Sequence, residues 1–323
     1  MSGPTEPLVL VSAAKGEQRT LANGFRLLGR QLRGARCEVR ALAPGPGAGI
    51  TPAALAPAAL LVLGCPTQPF SADELEALRL YLSSGGAVLA LLGEAGAGAG
   101  LAPLLEPLGI APRRDCAIQA FVVPDHLHPK QAVVGVDGLL SPEMAAACCL
   151  GRCSAGGGGG GGASPSGGAA GHAPAAASDA DAGDTSAAFR FVYPHGCSLA
   201  VQAPALAFLS SGAAAHPPRA ALGAAWRQEA GGRLAVLGSA AAFGDEWLGR
   251  EGNAAVLEYV AGWLLLDPGC QLPPGSMREA ELPGLAARRR LAPATSIAAL
   301  AQRPRPCLQV RGAWEVGGGG GQG

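Results

Sequence analysis

The 323-residue chain is long enough for one large domain or two modest ones, and its 24 basic and 24 acidic residues cancel, so no net field steers it toward nucleic acid or an anionic membrane. Hydrophobic residues make up 49%, ample for a core, while 50 glycines and 27 prolines gather in particular segments, as expected of a folded body with low-complexity additions. No basic-then-apolar leader opens the chain and no apolar run nears the roughly 20 residues of a membrane span; nine mostly solitary cysteines argue against a disulfide framework and for a soluble, cytosolic-type protein.

Leu8 to Ala13 (LVLVSA) reads as a buried strand, and Leu21, Phe25, Leu28 and Leu32 at helical spacing predict a helix of about three turns. CEVRALA (37–43) and ALLVLG (59–64) give two more strands. Ser71 and Glu74 form an S-x-x-E capping box ahead of the apolar stripe Leu75, Leu78 and Leu82. Ser84-Gly85-Gly86 ends that helix, and AVLALL (87–92) is a fourth strand. Strands apolar on both sides, alternating with helices, indicate a parallel sheet covered on both faces. Residues 151–188 lack Val, Ile, Leu, Met and aromatic residues and contain the run Gly156–Gly162, so they are expected to be a disordered insertion. FRFVYPHGCSLAVQ (189–202) reads as a β-hairpin around Pro-His-Gly, and strands follow at 205–211, 219–226 and 233–239. A helix from about Asn253 carries Val256, Val260, Trp263 and Leu264 on one face. Residues 1–266 are thus expected to form an α/β amino-terminal domain, and 267–323 a Pro-, Arg- and Gly-rich tail.

Chemically pointed residues are few. Asp125, His126 and His128 in DHLHPK raise the question of a metal site, but zinc needs four converging ligands. His172, His195 and His216 are scattered, and Cys148, Cys149 and Cys153 lack a standard spacing, so a turn is the preferred reading. Cys65 stands where a strand ends, yet Pro66 follows in place of the small residue a nucleophile elbow wants, and a buried neutral thiol fits better. Gly238 and Ser239 lack the G-x-G-x-x-G spacing of a nucleotide loop, and the G-x-G-x-G of Gly96, Gly98 and Gly100 is a weak signal in so glycine-rich a chain, with Pro103 too close for a good helix start. The triple arginine 288–290 is not interleaved with aromatics, so nucleic-acid binding is not expected. Residue chemistry assigns no catalytic residue, cofactor or metal, and describes a non-catalytic α/β domain with an interaction tail. Two readings from other classes stay open: an amidotransferase-like hydrolase using Cys65 or Ser239, and a small-ligand-binding α/β module.

Five stretches carry a further signal: ANGF (22–25), FSADELEALRLYLSSGGAVLALLGE (70–94), HPKQAVV (128–134), FVYPHGCSL (191–199) and GGRLAVLGSAAAFGDEWLGREGN (231–253). In order and spacing they resemble the amino-terminal domain of the intraflagellar transport protein 52 family, core subunits of ciliary transport complex B. The resemblance implies a doubly wound, mostly parallel sheet of the amidotransferase/flavodoxin-like kind without catalytic residues. It implies a scaffold role in anterograde transport and in building cilia and flagella, at the cilium, basal body and cytoplasm. Within DHLHPK only HPK coincides with the family pattern; Asp125 and His126 fall outside it. PATSIAALAQRPRPCLQ (293–309) is similar to the family's tail at Pro293, Thr295, Leu300, Ala301, Arg303, Arg305, Cys307, Leu308 and Gln309, while Pro304 and Pro306 depart from it. By resemblance this segment binds other complex B subunits, including tetratricopeptide superhelices. The resemblance stops after Gln309, which implies a fragment or a truncated chain.

Overall fold

The computed structural model describes residues 6–272 apart from 44, 46–48, 97, 122–125, 127, 150–188 and 229–230. In chain order the strands are β1 (Leu8–Ser12), β2 (Glu38–Leu42), β3 (Leu60–Gly64), β4 (Ala87–Leu91), β5 (Ile110–Pro112), β6 (Ile118–Gln119), β7 (Gln131–Val134), β8 (Phe191–Pro194), β9 (Leu199–Val201), β10 (Leu206–Ser210), β11 (Ala215–His216), β12 (Ala221–Arg227) and β13 (Arg233–Leu237). The α-helices are α1 (Arg26–Gly34), α2 (Pro52–Leu55), α3 (Ala72–Ser83), α4 (Ala102–Leu105), α5 (Pro142–Cys149) and α6 (Asn253–Leu264).

Five strands run parallel in the order β2-β1-β3-β4-β13. Their residues alternate between two cores, because successive side chains point to opposite faces. Val9, Val11, Leu60, Val62, Leu89, Leu91, Ala235 and Leu237 face α1 and α6, meeting Leu28, Leu32, Val256 and Val260. Leu10, Leu61, Leu63, Val88, Leu234 and Val236 face α2, α3 and α4, meeting Leu55, Leu75, Leu78 and Leu104. The sheet is therefore α/β, covered on both faces as its two-sided apolar strands predict. The capping box forms: the Ser71 hydroxyl accepts from the Glu74 amide, and the Glu74 carboxylate accepts from the Ser71 amide at 2.7 Å. Beyond β13 the sheet turns antiparallel through β12, β9 and β5, with β10 also on β12. Two small pairs, β6–β11 and β7–β8, stand outside it.

Three expectations change. The stretch 189–202 is not a hairpin: β8 pairs with β7, whereas β9 pairs with β12 and β5 in the main sheet. The Pro-His-Gly corner makes the difference. The His195 amide donates to Lys130 O and the Gly196 carbonyl accepts from Ala117 at 2.8 Å each, so the corner is held from both sides and hands the chain from one sheet to the other. Only glycine fits there, since a Cβ on Gly196 would lie 2.2 Å from the Tyr193 ring. The hairpin that does form joins β12 and β13. The first helix is also shorter than its apolar spacing suggests. Thr20 and Asn23 exchange backbone hydrogen bonds at 2.8 and 3.0 Å, so Leu21 sits in a turn and the helix begins at Arg26. Finally, packing continues past residue 266: Cys270 and Leu272 are buried, and the Tyr259 hydroxyl donates to Gln271 O.

Candidate functional site

Open α/β sheets present ligand groups at the carboxyl ends of their parallel strands, above all where strand order reverses. Here that point lies between β1 and β3, and main chain fills it. Gln18 and Arg19 amides donate to Cys65 O and Gly64 O at 3.0 Å, and Thr67 and Gln68 amides donate to Lys15 O at 3.1 and 3.0 Å. The Thr67 hydroxyl closes the seam on Gly16 O at 2.7 Å. Lys15 pins the loop from above, its Nζ 2.8 and 3.0 Å from the two Glu74 carboxylate oxygens and over the Phe70 ring.

Cys65 stands in that seam with φ 59°, the left-handed conformation a nucleophile elbow also uses. Its thiol is fully buried, and burial, partly offset by the nearby Arg19, pushes it up to about 11. A thiol so placed stays protonated at neutral pH and is a poor nucleophile. Burial likewise holds Cys197 at about 12 and Cys116 at about 11. The Ser239 hydroxyl is engaged on both sides, donating to Pro194 O and accepting from the Ala242 amide, so it shapes the turn after β13.

The histidines divide in a way the sequence did not suggest. His128 is exposed, its Nδ1 accepting from the Lys130 amide at 3.2 Å, and its ring lies 5.3 Å from that of His195. HPK is thus a turn, leading into β7. His126, which fell outside the family pattern, is buried against Trp247, with Nε2 3.4 Å from Glu251 Oε1. Asp125 lies outside the described residues. No group of three or more His, Cys, Asp or Glu among the described residues is arranged to hold a metal ion. Glu94, after β4, ion-pairs with Lys130, whose hydrogen bond holds the carboxyl below its ordinary range. That pair ties the β7–β8 sheet to the main one.

The segment following β13 makes several long-range side-chain hydrogen bonds. Asp245 Oδ1 accepts from the Leu27 amide at 2.8 Å, supplying α1 with the amino-terminal cap that Phe25 cannot. Asn253, fully buried, accepts from the Val192 amide and donates to Val192 O and Ala242 O, each at 2.8 Å. Its primary amide pairs with β8 as a neighbouring peptide group would. These residues explain chemically why GDEWLGREGN is distinctive: it clamps α1, α6 and the small sheet together.

A family model of the IFT52 GIFT domain matches residues 8–272, spanning the described body. The chain belongs to the intraflagellar transport protein 52 family. It is 32% identical over 262 residues to the intraflagellar transport protein 52 homolog of Mus musculus and 31% identical over 261 residues to that of Homo sapiens. Those alignments cover 79% of this chain but 55% and 53% of the relatives, so the chain spans about half the length of the curated relatives it matches. The solved mmIFT52 N-terminal domain is 31% identical, with a TM-score of 0.62, covering 80% of this chain and 96% of that one. The five motifs that suggested the IFT52 family all lie within the matched GIFT domain. The tail positions Pro293, Thr295, Leu300, Arg303, Arg305, Cys307, Leu308 and Gln309, and the insertion 151–188, lie outside the described residues.

Asp245, Asn253 and Glu94 were missed by sequence reasoning as positioning residues. The only signal for them was polar identity inside otherwise apolar or glycine-rich motifs.

Proposed function

We propose that this chain is a non-enzymatic scaffold subunit of intraflagellar transport complex B, serving anterograde transport and the assembly of cilia and flagella. Its site of action is the cilium or flagellum, with the basal body and cytoplasm as staging places. The match of the GIFT domain model across residues 8–272 carries this reading. The protonated thiol of Cys65 and the doubly bonded hydroxyl of Ser239 support the non-enzymatic part. The β2-β1-β3-β4-β13 order supports a flavodoxin- or amidotransferase-like ancestry of the sheet, and the seam at its reversal point supports a body that works through its outer surfaces.

Partners on this reading are other complex B subunits, with tetratricopeptide superhelices taking up Pro293 to Gln309 in extended form. Affinity purification of the full-length protein from ciliated cells should bring down complex B subunits in near-stoichiometric amounts; recovery of none of them would overturn the proposal. Replacing Leu300 and Leu308 by Asp should abolish capture by the superhelical partner while the melting temperature of the body stays unchanged. A fall in that temperature would instead assign those leucines to the core.

A further inference from the structure

Charge balance across the chain conceals a local surplus. Residues 19–40 hold six arginines, Arg19, Arg26, Arg30, Arg33, Arg36 and Arg40, against one acid, Glu38, which pairs with Arg40. Arg26, Arg30 and Arg33 recur at i, i+4 and i+7, so they fall within about 60° of one another on α1 and span about 10 Å. Leu28 and Leu32 take the opposite side into the core, which leaves the arginines facing solvent. Arg36 follows two residues past the helix end. All four are exposed, and their side chains make no hydrogen bond or ion pair with the described residues.

Arg33, in the last turn of α1, suits the helix dipole, but the rest of the stripe costs the fold something. Arg26 is the first helical residue, where the helix dipole repels a cation by about 0.3–1 kcal/mol. Arg26–Arg30 and Arg30–Arg33 are like-charge neighbours, each unfavourable by about 0.2–0.5 kcal/mol. Arg36 adopts φ 60°, the left-handed conformation in which a helix end favours glycine or asparagine. The segment therefore breaks three local rules in favour of arginine, with no hydrogen bond or ion pair to these side chains among the described residues, the pattern expected where a surface is kept for a partner.

We propose that the outer face of α1 is a docking surface for an acidic protein segment, carboxylates at helical spacing meeting Arg26, Arg30 and Arg33, and one more reaching Arg36. The guanidinium fork matches a carboxylate in two-point geometry, and unpartnered arginines in a row select a row of acids over any isolated one. The surface is distinct from the tail, so the proposal stands or falls independently of the tail's partners.

The test uses the full chain and a fluorescein-labelled helical peptide of about 16 residues with glutamate at every fourth position. A matched peptide carrying glutamine instead serves as the control. Anisotropy should show saturable binding of the glutamate peptide alone, weakening as salt is raised from about 50 to about 300 mM. The triple variant R26E/R30E/R33E should bind at least about tenfold more weakly, whereas R26K/R30K/R33K should retain most of the binding. Arg114→Glu, beyond the opposite edge strand β5, should have no effect. The reversed variant should melt no lower than the parent, so lost binding cannot be ascribed to lost folding. Equal binding by parent and reversed variant, or none by either, would show a solvated stripe only. Preference for duplex DNA or phosphatidylserine vesicles over the peptide would also overturn the assignment.

Discussion

Replacing Asn253 by alanine removes three buried hydrogen bonds and leaves the Val192 N–H, the Val192 carbonyl and the Ala242 carbonyl without that partner. Each buried polar group deprived of its partner costs about 1–3 kcal/mol, and partial relaxation or entry of water brings the sum to about 3–5 kcal/mol. Set against about 5–15 kcal/mol of total stability, that is a large fraction. For a body of this size the melting temperature should fall by about 6–20 °C. Asn253→Asp tests the donors alone: it keeps an acceptor for the Val192 amide but turns an anion toward two carbonyl oxygens. Near neutral pH it should be at least as damaging as alanine. Its deficit should shrink on acidification, because the buried carboxyl, its folded pKa raised, gains a proton it can donate. Urea titration followed by circular dichroism measures both variants. A loss below about 1 kcal/mol for Asn253→Ala, or an Asp variant that behaves like the parent at pH 7, would refute the strand-mimic account of this side chain.

Asp245→Ala should destabilise by about 1 kcal/mol through loss of the α1 cap, read as a lower urea midpoint with unchanged slope. Burial alone would raise the Glu74 carboxyl, but hydrogen bonds from Lys15 and Ser71 outweigh it and hold the group below its ordinary range. Its contribution is therefore present above the unfolded-state pKa and lost as pH falls through the folded one. Glu74→Gln should cost at most about 1 kcal/mol at pH 7, discounted for its partial exposure, and the two proteins should converge under acid. Iodoacetamide at pH 7.5 should label exposed Cys149 and spare Cys65, as mass spectrometry of the folded protein would show; rapid labelling of Cys65 would contradict its burial and raised pKa.

The parallel half of the fold was legible because four of its five strands are apolar on both faces; the edge strand β2, with exposed Glu38 and Arg40, is the exception. Ser71 and Glu74 announced α3 by themselves. The antiparallel half was harder: β5, β6 and β11 have two or three residues each, too few for any period to register. The 189–202 stretch misled because turn residues between two β-rich runs say nothing about which strands those runs pair with; Lys130 O and Ala117 N, far away in sequence, decide that. His126, read as an unconstrained position of the DHLHPK turn, was misjudged for a related reason. Burial of His126 rather than His128 depends on Trp247 and Glu251, more than a hundred residues on. The seam over Cys65 was equally invisible, since it is built from backbone groups that every residue carries.

The way Asn253 meets β8 bears on solubility as well as on stability. A two-stranded sheet ordinarily offers a row of free N–H and C=O groups along its outer edge, a template for another chain to add to. Here a helix supplies one side chain that occupies Val192 on that edge. Any shortened version of the chain lacking α6 would uncover that edge together with the core face that Val256 and Val260 cover, and would be expected to aggregate by strand addition.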